Sequence, residues 1–315
     1  MEYEYAVEPE AIASSWNNCR FVMSLFGLEK GRLISRFPGG WFREVLHLSE
    51  KLPVMEKKRI QEKLISAKRE YIVMQFSRPY DSEKNWIDNA VFEHEGKPFG
   101  GLIVLKKIVP SVTRMFPVED IDEKDIAVDK FISKDVKSIL HASHGFLRFG
   151  SQIEIIDPYF RLDGKKGKES RLLIKEFMKI AAKYRRCSTI KVHYKDHDEM
   201  PTIEFIQDDL KNFPDIVPSG MKLEIYRWRE NQDCQYDFHG RYLLTDKGGI
   251  FFDGGFGGKE KAKKFALGRY SHAESPERLE AFTPGGCGHV LAEPGLRIHS
   301  AGQSERFNTC SSTLL

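Results

Sequence analysis

The chain has 315 residues, of which 41% are hydrophobic, 12% aromatic and 30% charged, for a formal net charge of +3. Length and apolar content suffice for two separately cored domains, and no apolar run approaches the ~18 residues of a membrane-crossing helix. The first ten residues carry four glutamates instead of the basic and then apolar order of an export signal, so a cytoplasmic protein with no membrane partner is expected.

In the first part of the chain, residues 53–71 are rich in Lys, Glu, Ile and Leu with few breakers. The spacing predicts a long helix with Ile60, Leu64 and Ala67 on one face. A strand follows at 71–76, then a turn-rich stretch at 77–81, and residues 100–105 read as a further strand. From Pro117 to Asp125 the sequence turns acidic, as segments between modules often do. We therefore expect a separate α/β domain at 1–130, of unassigned role and available to contact a partner protein, with a second domain spanning 136–282.

Residues 153–160 read as a buried strand closed by Asp157-Pro158, and residues 169–184 as a helix whose Leu173, Phe177, Ile180 and Tyr184 form one apolar stripe. A strand at 189–194, a helix at 202–212 and a strand at 221–226 continue the alternation. Such a succession predicts an α/β fold with a mixed, mostly parallel sheet flanked by helices. Charge is concentrated here, with 12 Lys or Arg against 4 Asp or Glu in residues 161–196. Lys165, Lys166 and Lys168 make a basic loop, while Arg171, Lys175, Lys179 and Lys183 step by four along the helix and 259–264 adds another cluster. Patches of this kind attract polyphosphate backbones, although a lysine-lined helix face is as often simply solvated.

The second strand ends in His193-Tyr194-Lys195, followed by Asp196, His197, Asp198 and Glu199. The favoured reading is a polar strand-end cluster; it could still bind a metal, yet its ligands are consecutive instead of spaced to converge, so no metal site is assigned. The most informative stretch is Tyr236 to Phe256. It reads as a hairpin in which His239 and Arg241, two residues apart on a strand, share a face. Asp246 opens the turn Asp246-Lys247-Gly248-Gly249 and a second strand runs into Gly254-Gly255. An imidazole beside a guanidinium suits a phosphate, which the guanidinium grips while the imidazole attacks or protonates.

At His239, Arg241, Asp246 and Gly254-Gly255 the sequence resembles the phospholipase D superfamily, whose signature is His-x-Lys, four residues, Asp, and a Gly-Ser or Gly-Gly turn after a short strand. Arg241 stands where the family usually has Lys, and Gly255-Phe256 replaces the usual Ser and Asn. With the α/β succession upstream, residues 136–270 resemble one unit of that fold. The resemblance implies a metal-independent phosphodiesterase, in the first instance a nuclease. His239 would form a phosphohistidine, Arg241 would stabilise the developing charge and Asp246 would orient the imidazole. Asp157, Gly254, Gly255, Lys165, Lys166 and Lys168 are expected to bind the substrate, and no cofactor or metal is implied. The family builds one site from two copies of the motif whereas this chain has one, so activity implies a homodimer with both His239 side chains at a shared phosphate. Bacterial proteins with such domains often accompany defence systems, which extends the implication to phage defence. An alternative class stays open, in which a non-enzymatic module binds nucleic acid, a phosphate or a partner protein.

The Gly- and Ser-rich residues 283–315 show no periodic pattern and are expected to form a weakly packed tail. Cys19, Cys187, Cys234, Cys287 and Cys310 include no Cys-x-x-Cys pair, so neither a disulfide framework nor a zinc site is indicated.

Overall fold

The computed structural model describes residues 3–73, 78–106, 109–126, 128, 130–256, 264–286 and 288–308. The chain divides into two compact units, Glu2–Asp129 and Lys130–Leu315. In the first, the elements are β1 (Tyr3–Val7), α1 (Pro9–Ala13), α2 (Trp16–Ser24), β2 (Arg32–Ser35), α3 (Trp41–Leu48), α4 (Val54–Lys68), β3 (Ile72–Val73), α5 (Trp86–Gly96), β4 (Leu102–Val104) and β5 (Met115–Pro117). Their strands form a parallel sheet of order β3-β2-β1-β4-β5 among the described residues. Helical crossovers join most of its strands, which keeps them parallel. Strands covered on both faces must be apolar throughout. Tyr5, Ala6, Val7 and all of β4 are accordingly buried.

Helix α4 buries Ile60, Leu64 and Ala67, the face its spacing predicts. The strand expected at 71–76 is seen as Ile72–Val73, and its remainder lies outside the described residues. The acidic stretch at 117–125 is packed and is not an open linker. Val118, Ile121 and Ile126 alternate with the acids and are buried. Glu123 meets Arg32 Nη2 at 2.5 Å, and the Tyr5 hydroxyl donates to the Ile126 carbonyl at 3.3 Å. Interspersed apolar residues thus tie this segment to the first unit.

The second unit contains β6 (Phe131–Ser133), α6 (Val136–Phe149), β7 (Ile153–Ile156), α7 (Lys168–Tyr184), β8 (Thr189–Lys195), α8 (Ile203–Leu210) and β9 (Lys222–Arg229). It continues with β10 (Tyr242–Thr245), β11 (Gly248–Phe252), β12 (Lys264–Tyr270), α9 (Ser275–Glu280), β13 (Val290–Leu291), β14 (Gly295–His299) and β15 (Ser304–Phe307). The sheet runs β15-β14-β9-β8-β7-β10-β11-β12-β6, with β13 on β9. Only β7, β8 and β9 are mutually parallel, so this sheet is mixed and mostly antiparallel among the described residues, where a mostly parallel one was expected. After β9 no helical crossover separates the strands, and short connections such as the one joining β10 to β11 force antiparallel neighbours.

Residues 290–307, expected to be loosely packed, form β13, β14 and β15, with Leu296 and Ile298 buried. Beyond 308 the tail lies outside the described residues. Register explains this order. Glu154, Lys191, Glu224, Arg297 and Glu305 sit opposite one another across five consecutive strands. Lys191 reaches Glu154 at 2.8 Å, and Arg297 reaches Glu224 at 2.8 Å and Glu305 at 3.0 Å. Alternating charge across neighbouring strands stabilises this pairing.

Candidate functional site

The parallel strands β7, β8 and β9 end at the same edge of the sheet, where β10 begins, since Tyr242 pairs with Ile156. The end of β11 returns to this edge, because Phe251 pairs with Tyr242. Topology alone therefore assembles Asp157, Arg241, Gly254 and Gly255. They line one cleft of about 1510 Å³ together with Lys165, Lys166 and Lys168. The first turns of α6 and α7 form its walls, through Val136 and Lys137 on one and Lys168 to Leu172 on the other. The N-terminus of α7, with Gly167 before it and no side-chain cap, points unpaired amides and a positive dipole end outward, which favours an anion, whereas that of α6 is capped by the Asp135 carboxylate, which accepts from the Ser138 amide at 2.9 Å.

Asp157 and Arg241 form the floor. Asp157 is 4% exposed, and its carboxylate accepts from the Tyr159 amide at 2.9 Å and the Phe256 amide at 3.2 Å. Burial pushes its pKa above the usual carboxylate value, against the pull of these amides and of the Arg241 charge. The Arg241 Nε lies 3.7 Å from Oδ1 of Asp157, and Nη1 donates to the Asp253 carbonyl at 3.2 Å. One backbone bond thus holds the guanidinium, and its contact with the Asp157 carboxylate is longer than a hydrogen bond. Gly255 makes this approach possible. Its φ is +72°, and a Cβ there would stand 2.7 Å from the Arg241 Cδ. A side chain would be strained by the backbone and would collide with the guanidinium stem.

Eight Lys or Arg line the cleft against three Asp or Glu. Arg161 is consumed by Asp163 and the Glu199 carbonyl, and Arg171 by the carbonyls of Leu162 and Gly164. Lys137, Lys165, Lys166 and Lys168 have no ion-pair partner among the described residues. The lysine stripe along α7 is a different matter, because Lys175 pairs with Asp215 and Lys179 with Glu176. Two of its lysine charges are satisfied locally. The cluster at 259–264 lies outside the described residues except for Lys264.

His239 and Asp246 do not join this cleft. Strand β10 starts at Tyr242, and residues 238–239 form a turn. Phe238, fully buried among Ile156, Trp228, Leu244 and Phe282, anchors that turn on one face of the sheet. His239 is therefore exposed on the turn and is absent from the lining that includes Arg241. The two-residue rule would place them together only if the strand extended through Gly240. The neighbour of His239 is Glu230, which pairs with Lys195 and accepts from the Phe238 amide at 3.0 Å. Lys195 is the main cause holding Glu230 below its usual pKa, ahead of the Phe238 amide, with His239 adding a smaller pull.

Asp246 follows the far end of β10. Its Oδ1 accepts from the Ser151 amide at 2.6 Å and the Gln152 amide at 3.2 Å, at the start of β7. The length of β10 separates it from His239, so it has no part in orienting that imidazole. It clamps two strands. His193, from the other His-x-Lys string, is 1% exposed. Its Nδ1 accepts from Trp228 Nε1 at 2.9 Å, its ring stacks on Tyr226, and Nε2 lies 3.0 Å from Glu154 without regular hydrogen-bond geometry. That histidine is structural.

Two features of the edge escaped the sequence. Tyr159 is half exposed in the cleft with the Arg241 guanidinium 5.8 Å from its ring centre, and Lys134 and Lys137 arrive from α6 and its preceding loop. Tyr159 was findable as the residue after the strand-closing Asp157-Pro158, whereas the lysines of α6 required the tertiary fold. Among the described residues no group of acidic, His and Cys side chains could hold a metal, and no helix is long and apolar enough to cross a membrane. Compared with protein-family models and with curated proteins, the chain matches none.

Proposed function

We propose that the unit from Lys130 onward is a binding module for a phosphodiester polyanion, held in the basic cleft at the strand ends. The observation that carries this reading is the composition of that cleft. Arg241, 3.7 Å from the buried Asp157, and four lysines without ion-pair partners among the described residues line it, while His239 stands outside. A cation-lined cleft beside an uncapped helix N-terminus gathers phosphates by charge and by amide donors, and no covalent step is needed.

Titrating the purified protein with a fluorescein-labelled 20-nucleotide oligonucleotide over a range of salt tests it. Binding should weaken linearly in log salt, and Lys165→Ala, Lys166→Ala and Lys168→Ala together should reduce that slope by about 2–3. The α7 triple variant Lys175→Ala, Lys179→Ala, Lys183→Ala should leave the slope nearly unchanged, because two of those lysines already have carboxylate partners. Equal effects of the two triples would replace a specific cleft by general attraction to a basic protein.

A second reading, phospholipase D-like phosphodiester cleavage, is favoured by one observation. His239 is exposed at the same sheet edge, beside the Lys195–Glu230 pair. With the imidazole outside the cleft, this reading requires a second copy of the chain to bring its own His239 to the phosphate, in a homodimer. Cleavage of DNA or RNA in excess chelator, abolished by His239→Ala, would put it ahead of simple binding.

A further inference from the structure

Tyr159 stands out among the residues lining the cleft because charge does not explain it. Its ring is 50% exposed although it sits among cations. The backbone beneath is fixed, since the Tyr159 amide donates to the Asp157 carboxylate at 2.9 Å and Phe160 closes the turn onto the Asp157 carbonyl at 3.1 Å. The ring is flanked by His197, edge-on at 6.2 Å, and by the Arg241 guanidinium. Leu172, 49% exposed on the first turn of α7, and the half-buried Phe213 add further apolar surface to the same cleft. A duplex presenting only its phosphates would meet the lysines and leave these surfaces wet.

Resting on the polyanion-binding reading above, we propose that the occupant is single-stranded nucleic acid, with one base stacked on Tyr159 and the adjoining phosphate at Arg241 and the Lys165–Lys168 loop. Single-strand sites combine a cationic track with aromatic platforms, because an unpaired base offers a π-face that a base within a duplex has already used. The cleft volume of about 1510 Å³ exceeds the roughly 300–1,000 Å³ of ordinary small-molecule sites, which fits a segment of polymer better than a free nucleotide. RNA and DNA share the chemistry in question. The ring is positioned for stacking and takes no part in a bond-breaking step.

The test measures fluorescence anisotropy of the full chain with three labelled probes of equal length at one salt concentration. They are a twelve-residue oligothymidylate, an abasic strand with the same phosphates, and a duplex. The oligothymidylate should bind more tightly than the abasic strand by roughly 5- to 150-fold, the range for one stacked base. Tyr159→Ala should bring it down to the affinity of the same variant for the abasic strand, Tyr159→Trp should preserve the difference, and an unchanged circular-dichroism spectrum of each variant reports an intact fold. Equal affinity of the wild-type protein for the abasic strand and the oligothymidylate overturns the stacking inference while leaving the polyanion reading in place. A duplex bound as tightly as the single strand overturns it as well. Absence of binding to all three probes overturns both.

Discussion

At the scale of single residues, Gly255 and Asp246 separate what the hairpin does from what its resemblance implies. Gly255→Ala places a methyl group against Arg241 in a left-handed backbone conformation, for which an L-residue costs about 1–2 kcal/mol. We expect a loss of stability of that size in thermal denaturation together with weakened oligonucleotide binding, because the guanidinium must move. Asp246→Ala should behave in the opposite way. It removes a charged acceptor shared by two amides, at a cost of about 1.5–3 kcal/mol, yet leaves cleft binding intact. Burial alone would raise the Asp246 pKa, and the Ser151 and Gln152 amides overcome it so that the pKa is lowered. Its stabilisation is therefore complete above the ordinary Asp value near ~3.9 and is lost as pH falls through the lower folded value. Acid unfolding of Asp246→Ala should lack that part of the pH dependence. A binding defect in Asp246→Ala, with stability unchanged, would return Asp246 to the site. Asp157, Arg241, Gly254 and Gly255 meet in one cleft because each lies next to a strand end whose position periodicity reveals. The sequence misplaced His239 because nothing in Phe238-His239-Gly240 announces that Phe238 is a core anchor and that the strand begins only at Tyr242.

At the scale of elements, long periodic segments were legible and short polar ones were not. Helices α4 and α7 appear where their apolar spacing put them, since one buried face per helix leaves a repeating mark. Strands β14 and β15 left none, because they are stabilised by pairing and by charges matched across strands, and a register of that kind exists only between segments far apart in sequence. Glu224 is the centre of this ladder, accepting from the Tyr226 hydroxyl at 2.7 Å and from Arg297 at 2.8 Å. Glu224→Ala leaves a largely buried hydroxyl without its acceptor and the Arg297 guanidinium with Glu305 alone, and should cost about 2–3 kcal/mol in urea denaturation. Glu224→Gln should recover part of this through its remaining carbonyl. An unchanged midpoint in Glu224→Ala would show that β14 is held by its apolar face, Leu296 and Ile298, and not by the ladder.

For the molecule as a whole, the division at residues 129 and 130 gives each unit its own sheet and its own core, with Ala6, Phe37 and Leu102 in one and Ile156, Trp228 and Leu244 in the other. Every residue lining the basic cleft falls between Lys134 and Phe256, within the second unit. The first unit is a parallel sheet whose strand order reverses between β1 and β4, the place where open α/β sheets usually accept ligands. Here Glu8 spans the gap, accepting from the Leu105 amide at 2.6 Å, and puts a carboxylate where a phosphate would otherwise be welcomed. Polyanion binding should therefore reside in the second unit. A chain beginning at Lys130 should fold cooperatively and bind the labelled oligonucleotide within about twofold of the full chain, a difference below ~0.5 kcal/mol. Should the shortened chain fold, as judged by circular dichroism, yet lose more than tenfold in affinity, the first unit would contribute to the nucleic-acid surface and its expected role as the contact for a partner protein would have to give way. Retained affinity would instead leave residues 1–129 free for that partner, with the cleft working independently of it.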